Sequence, residues 1–208
     1  MSRRQVRGSQ KISKSRNKRT ENRRILIVAE GVKTEPQYFE SLAAHLNAQA
    51  VQVVSVKPVG IGRDPLRVVQ EAESRRLKEM RDGDPYDSVW CVVDVDEHAT
   101  LPQACRLAAK SNLGLAVSNP CFEVWLVWHF EERTAWSTAS DLSERLKKFG
   151  VLGKSLPPDF PYDRVGYAKV RAGKCAEIKD QHNPPNPSSS VVRLVEELET
   201  ACMGKQAK

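Results

Sequence analysis

Three carboxylates stand directly behind apolar runs. Glu30 follows Ile25-Leu26-Ile27-Val28-Ala29, and Asp94 and Asp96 follow Val89-Trp90-Cys91-Val92-Val93. A run that is apolar at nearly every position is how a parallel strand buried on both faces reads. In an open α/β sheet, ligands gather outside the carboxyl ends of such strands. Asp94 and Asp96 lie two residues apart, so on an extended chain they point to the same side. With Glu30 arriving from a neighbouring strand, they form a compact negative cluster suited to a hard divalent cation, Mg²⁺ first and Mn²⁺ as the alternative. A cation held there stabilises charge on a phosphate and activates a water. Glu30 either binds the cation or serves as a general acid or base. The competing account is structural: loop carboxylates that cap helices. Asp-x-Asp alone is a weak signal, and its weight comes from following a buried strand while Glu30-Gly31 follows another.

The elements that must position these residues read as follows. Strands are expected over about 24–29, 51–56, 87–93 and 113–117. Helices alternate with them. The first starts near Thr34, read as its cap, with Glu35 and Pro36 in its first turn. The second is capped by Asp64 with Pro65 behind it and runs to about Met80, with Leu66, Val69, Ala72 and Leu77 inward. A third covers about 101–111. Asn119-Pro120 opens a fourth, apolar nearly all round and therefore buried. Strands alternating with helices over about 24–131 predict a parallel sheet with helices on both faces. Beyond 132, helices are expected at about 141–149, 167–180 and 190–202, the last capped by Ser188 or Ser189. The expected organisation is a basic disordered arm (1–22), an α/β core (23–131) and a mostly helical appendage packed on it (132–208).

Charge is unevenly placed. The chain carries +7 overall, yet residues 1–24 hold ten Lys/Arg against one acid, Glu21, so they carry +9 and the remainder carries −2. An arm bearing Arg3, Arg4, Arg7, Lys11, Lys14, Arg16, Lys18 and Arg19 suits nucleic acid, because basic arms bind phosphates with little sequence demand. A merely solvated tail is the plain alternative. No apolar run has the length of a membrane span, and the basic N-terminus lacks the apolar stretch of a secretory signal. Five cysteines without a Cys-x-x-Cys pair fit reduced, mostly buried thiols, and a cytoplasmic location is expected.

Longer motifs carry a family resemblance. Glu30-Gly31 and Asp94-x-Asp96 resemble the corresponding positions of the Toprim domain of topoisomerases, primases and OLD-type nucleases. The stretches Ile25 to Phe39, Trp90 to His98 and Ser118 to Leu126 resemble the RloB family more narrowly, and Asn186-Pro187-Ser188 fits it as well. The resemblance spans about residues 22–200. It implies a Toprim-like fold and a metal-dependent nuclease role acting on DNA or RNA, associated with restriction and phage defence, with an ATPase as a partner protein. Carried over, Glu30, Asp94 and Asp96 match the metal-binding acids. The same motifs place Glu35, Glu97 and Glu123 near that edge, with Glu97 as a further metal ligand or an exposed neighbour, and Glu123 either entering the cleft or favouring its helix N-terminus.

The remaining candidates are weaker. Lys33 is a candidate to hold a scissile phosphate, and Asn119 to cap its helix and present amides to an anion. The Gly60-Ile61-Gly62-Arg63 loop lacks a full dinucleotide pattern and reads first as a turn. His98 reads as a solvent-facing loop residue, and His129, Trp125 and Trp128 as core. Trp136 is left uncommitted. No nucleophile elbow or P-loop occurs, which disfavours a serine hydrolase or an autonomous NTPase. Three functions compete: a nuclease, a non-cutting metal- or nucleic-acid-binding subunit of an ATPase complex, and a phosphatase for small substrates.

Overall fold

The computed structural model describes residues 23–56, 64–95 and 99–203. The basic arm, the Gly60–Arg63 loop, and Asp96, Glu97 and His98 lie outside them.

The fold is α/β. Its elements in order are β1 (Ile25–Ala29), α1 (Thr34–His45), β2 (Val51–Ser55), α2 (Pro65–Asp82), β3 (Ser88–Asp94), α3 (Leu101–Lys110), β4 (Gly114–Asn119), α4 (Glu123–Phe130), α5 (Ala139–Lys148), α6 (Val165–Ala172), β5 (Ser188–Ser189) and α7 (Val191–Met203). The sheet order is β2-β1-β3-β4-β5. The first four strands are parallel, and β5 runs antiparallel to β4. This is the sheet architecture expected of a Toprim-like fold.

The central strands are apolar throughout because both faces are covered. Ile25, Ile27, Ala29 and Val92 pack with α1, α4 and α7. The alternate residues Leu26, Val28, Cys91 and Val93 pack with α2 and α3. The five cysteines are free thiols. Among the described residues, no helix is long and apolar enough to cross a membrane.

Local chemistry sets several boundaries as expected. Asp64 accepts from the Leu66 amide (3.0 Å) with Pro65 at the first helical position, and Gly83 ends α2 at φ +82°. Ser189 Oγ accepts from the Val191 amide at the start of α7 (3.3 Å). Other boundaries differ. Leu77 is 38 % exposed, because the described residues cover α2 along Pro65, Val68, Val69 and Ala72 and not at Leu77. Thr34 is not a cap. It is the first residue of α1, and its hydroxyl donates to the Lys154 carbonyl (2.9 Å). The basic helix α6 stops at Ala172 instead of reaching 180, where Gly173, a poor helix former, begins a turn. The segment after 131 also supplies β5 to the sheet and α7 to the core, with Val191, Leu194, Val195 and Leu198 buried.

A buried chain of hydrogen bonds fastens α1 to α4. Trp125 Nε1–H donates to the Tyr38 hydroxyl (2.8 Å), which donates to His129 Nε2 (3.0 Å), and His129 Nδ1–H donates to the Pro161 carbonyl (3.1 Å). The tautomer follows from the carbonyl, which can only accept. Burial pushes His129 down to about 4 from its usual 6.5. The unfolded chain therefore takes up the proton first as pH falls. Stability from this residue is full above pH 6.5 and is lost as pH drops towards 4. We expect urea unfolding to show the parent losing about 2–3 kcal/mol more than His129→Asn between pH 7 and pH 4.5. Equal losses would show that His129 is not the group responsible.

Candidate metal and phosphate site

Glu30 and Asp94 meet at the carboxyl edge of the sheet, and both are almost fully buried. The β1–β3 ladder runs one residue past β1, where the Glu30 amide donates to the Val92 carbonyl (3.0 Å). There the backbone bends away at Gly31, and the Glu30 side chain takes the place of the missing strand: its Oε2 accepts from the Asp94 amide (3.2 Å). Asp94 closes β3 and lies opposite Ser118 of β4. Its Oδ1 accepts from the amide of Phe122, the N-cap residue of α4 (2.9 Å). Each carboxylate is thus oriented by a backbone amide, and Asp94 also faces the positive end of a helix.

Two further carboxylates reach this edge. Glu35, in the first turn of α1, is 5 % exposed. Its carboxylate lies over Gly31, where a Cβ would come within 1.8–2.2 Å of it. Only glycine leaves room for that carboxylate to lie against the backbone. Gly31→Ala should therefore displace the flexible end of Glu35 while costing little stability. Near-equal melting of Gly31→Ala and the parent would bear this out, and a large loss of stability would show that the Glu35 carboxylate cannot move aside. Glu123, half-buried in the first turn of α4, lies close to the buried Cys121 thiol. Burial pushes that thiol up, and the negative charges of Glu123 and Asp94 add to the effect.

The other sequence candidates fall as follows. Lys33 is exposed and occupies the N-cap position of α1 without capping through its side chain. Asn119 does not cap α4, contrary to expectation. It ends β4, is joined to Pro120 by a cis peptide, and donates from Nδ2 to the Pro184 carbonyl (2.7 Å). The helix starts later, at Glu123, and Asp94 takes the capping role from another strand. Asp96, Glu97 and the arm residues Arg3 to Arg19 lie outside the described residues.

Sequence reasoning reads a proline-containing loop over residues 150–162 but misses its contact with α1. Gln37 of α1 donates from Nε2 to the Leu156 carbonyl and accepts from the Leu156 amide through Oε1, both at 2.9 Å. With the Thr34–Lys154 bond, this clamps residues 154–156 beside the first turn of α1. No local pattern announces a contact across some 120 residues.

Among the described residues, no group of three or more His, Cys, Asp or Glu is arranged to hold a metal. The acidic residues that do meet, Glu30 and Asp94, offer carboxylate oxygens. They fit Mg²⁺, which keeps several waters and binds through one or two carboxylates plus substrate phosphate. A cavity of about 310 Å³ between α6, α7 and β5 contains none of these acids.

No curated protein and no solved structure matches the chain. A family model described as RloB-like protein matches residues 25–198, a span that includes β1 through most of α7 and every carboxylate described above. The chain belongs to the RloB-like protein family.

Proposed function

We propose that this protein is a Mg²⁺-dependent nuclease that cleaves phosphodiester bonds of DNA or RNA, in a restriction- or phage-defence-associated setting. One observation carries the reading: Glu30 and Asp94, from different strands, are brought together nearly buried at the carboxyl edge of a parallel sheet. Two carboxylates brought to one sheet edge and oriented by backbone amides offer the oxygen ligands that a hard divalent cation takes. Glu30 and Asp94 are the residues that would hold the ion, with Asp96 following on the same chain. When bound, Mg²⁺ would offset phosphate charge and make a water nucleophilic.

The chain's own groups have separate tasks. The Asp94 and Phe122 amides fix the two carboxylates in place before any ligand arrives. Lys33, exposed one turn from Glu30, offers a point charge to a phosphate oxygen. The basic arm holds a polymer more naturally than a small substrate. It departs from the other edge: Arg23 precedes β1 and pairs with Glu197 of α7 (2.7 Å). The arm then acts as a tether for nucleic acid and not as a wall of the site.

A second reading has an observation in its favour. Because Asp94 caps α4 and Glu30 completes the sheet edge, both acids have structural uses. A non-cutting subunit that binds metal or nucleic acid for an ATPase partner would retain them too. Incubating the purified full chain with plasmid, single-stranded DNA and RNA, with Mg²⁺ or Mn²⁺, separates the two. Metal-dependent cleavage abolished by EDTA supports the nuclease. Binding without cleavage of any of the three supports the subunit.

A further inference from the structure

Trp136 is 66 % exposed, whereas Trp125 and Trp128 are fully buried. Trp90 is half-buried with its Nε1–H on Glu197 (2.7 Å). Exposure of an indole on a loose loop would mean little, but this turn is held from every side. Arg133 donates through Nε to Ser137 Oγ (2.8 Å) and through Nη2 to the Trp136 carbonyl (3.1 Å). Trp128 Nε1–H donates to the Arg133 carbonyl (2.9 Å). Asn186 grips Ser137 twice, accepting from its amide (3.0 Å) and donating to its carbonyl (2.9 Å). Immediately afterwards, Thr138 and Asp141 cap each other reciprocally at the start of α5. The protein spends many hydrogen bonds to present one large aromatic surface to solvent.

The turn also lies on the edge that carries the acids. Strand β5 enters the sheet from the carboxyl side, with Ser188 opposite Asn119 and Ser189 opposite Ser118. Asn186 therefore sits beyond the carboxyl end of β4. Asp94 is opposite Ser118 on the next strand over. Two strand spacings across from Asp94, and three residues before Ser189 on its level, put Asn186 roughly 14 Å from Asp94.

We infer that Trp136 is a stacking platform for an unpaired base, so that the nucleic acid held at the Glu30–Asp94 edge is single-stranded where it crosses this turn. This rests on the nucleic-acid reading above. Bases stack on aromatic side chains regardless of sequence, whereas a base inside a duplex already has both faces covered. The Arg133 guanidinium, bonded to the Trp136 carbonyl, places positive charge in the same turn. A protein partner is the other occupant that an exposed tryptophan suggests, but such anchors sit inside a ring of contacts that excludes water. The exposed neighbours in this turn, Thr134 and Ala135, are polar or small.

The test uses the full chain in EDTA, which keeps binding separate from cleavage. Polarisation of labelled oligothymidylate and of a duplex measures affinity, and tryptophan emission reports stacking. The parent should be quenched by the single strand. Trp136→Ala should bind it about 5- to 100-fold more weakly and bind the duplex as before. Trp136→Phe should keep most of the affinity while losing the quench. Unchanged single-strand affinity in Trp136→Ala, or an equal loss on duplex, overturns the inference. So does a parent dimer that Trp136→Ala dissociates, which would make the turn a protein contact. A chain that shows Trp136-dependent quenching but never cuts keeps the inference and loses the nuclease. One that cuts normally as Trp136→Ala, with unchanged binding, does the reverse.

Discussion

On the proposed nuclease reading, Asp94→Asn and Glu30→Gln should each lower metal-dependent cleavage by about 10³-fold or more, while both variants stay folded. The size follows from the several kcal/mol that a bound ion supplies to a phosphoryl transition state, at about 1.36 kcal/mol per factor of ten. The isosteres isolate charge cleanly because of what each carboxylate touches. Asn at 94 can still accept from the Phe122 amide, and Gln at 30 can still accept from the Asp94 amide. Charge repulsion alone suggests that removing one negative charge leaves the metal-free fold as stable or slightly more so. The cap on α4 opposes that gain, since a negative charge at a helix N-terminus contributes about 0.3–1 kcal/mol. Asp94→Asn should therefore melt close to the parent. Asp94→Ala strands the buried Phe122 amide and should cost about 1–3 kcal/mol. Thermal melts without metal check this order. If Asp94→Asn melts as low as Asp94→Ala, the carboxylate acts as a structural cap in its own right.

Deleting residues 1–22 removes eight Lys/Arg and one acid, and it should change the salt dependence of binding more than any single substitution. If all eight cations meet phosphates of a single strand, log K falls against log salt with a slope of about −5 to −6. A shortened chain should show a slope near that of its few remaining contacts, with the folded body unchanged by circular dichroism. The root of the arm, beside Arg23 and Glu197, is one strand length from the acids. Twenty-two residues span up to about 70 Å when extended, against about 16 Å for a five-residue strand. The arm can therefore retain a nucleic acid lying across either edge. Equal slopes with and without it would reduce it to a tail.

The part of this site that could be read in the sequence was the part built by strands. Ile25–Ala29 and Val89–Val93 are apolar at consecutive positions because helices cover both faces, so the run itself locates the carboxyl edge and the acids that follow it. The second helix was legible at both ends because Asp64, Pro65 and Gly83 act on their own backbone. What escaped depends on distant partners. Asn119-Pro120 has the local look of a helix start, yet Pro184 claims the Asn119 side chain and Asp94 supplies the cap. Thr34 likewise looks like a cap until the Lys154 carbonyl takes its hydroxyl. Leu77 keeps the helical spacing of a core residue, but no described element covers that part of α2. The two-residue strand β5 is too short to show any period. It exists because Ser188 and Ser189 complete the free edge of β4.

The most direct test of the central claim is metal binding itself, read without any substrate. Mn²⁺ titrated into the full-length protein, and followed by calorimetry and by its own spin resonance, should bind at one site in the parent. That binding should be lost or weakened by at least about tenfold in both Glu30→Gln and Asp94→Asn, each of which removes one of the carboxylates proposed to hold the ion. Equal Mn²⁺ affinity in the parent and both folded variants would contradict the account. Glu30 and Asp94 would then be a sheet-edge fastening and a helix cap, and the chemistry of this protein would have to be sought elsewhere.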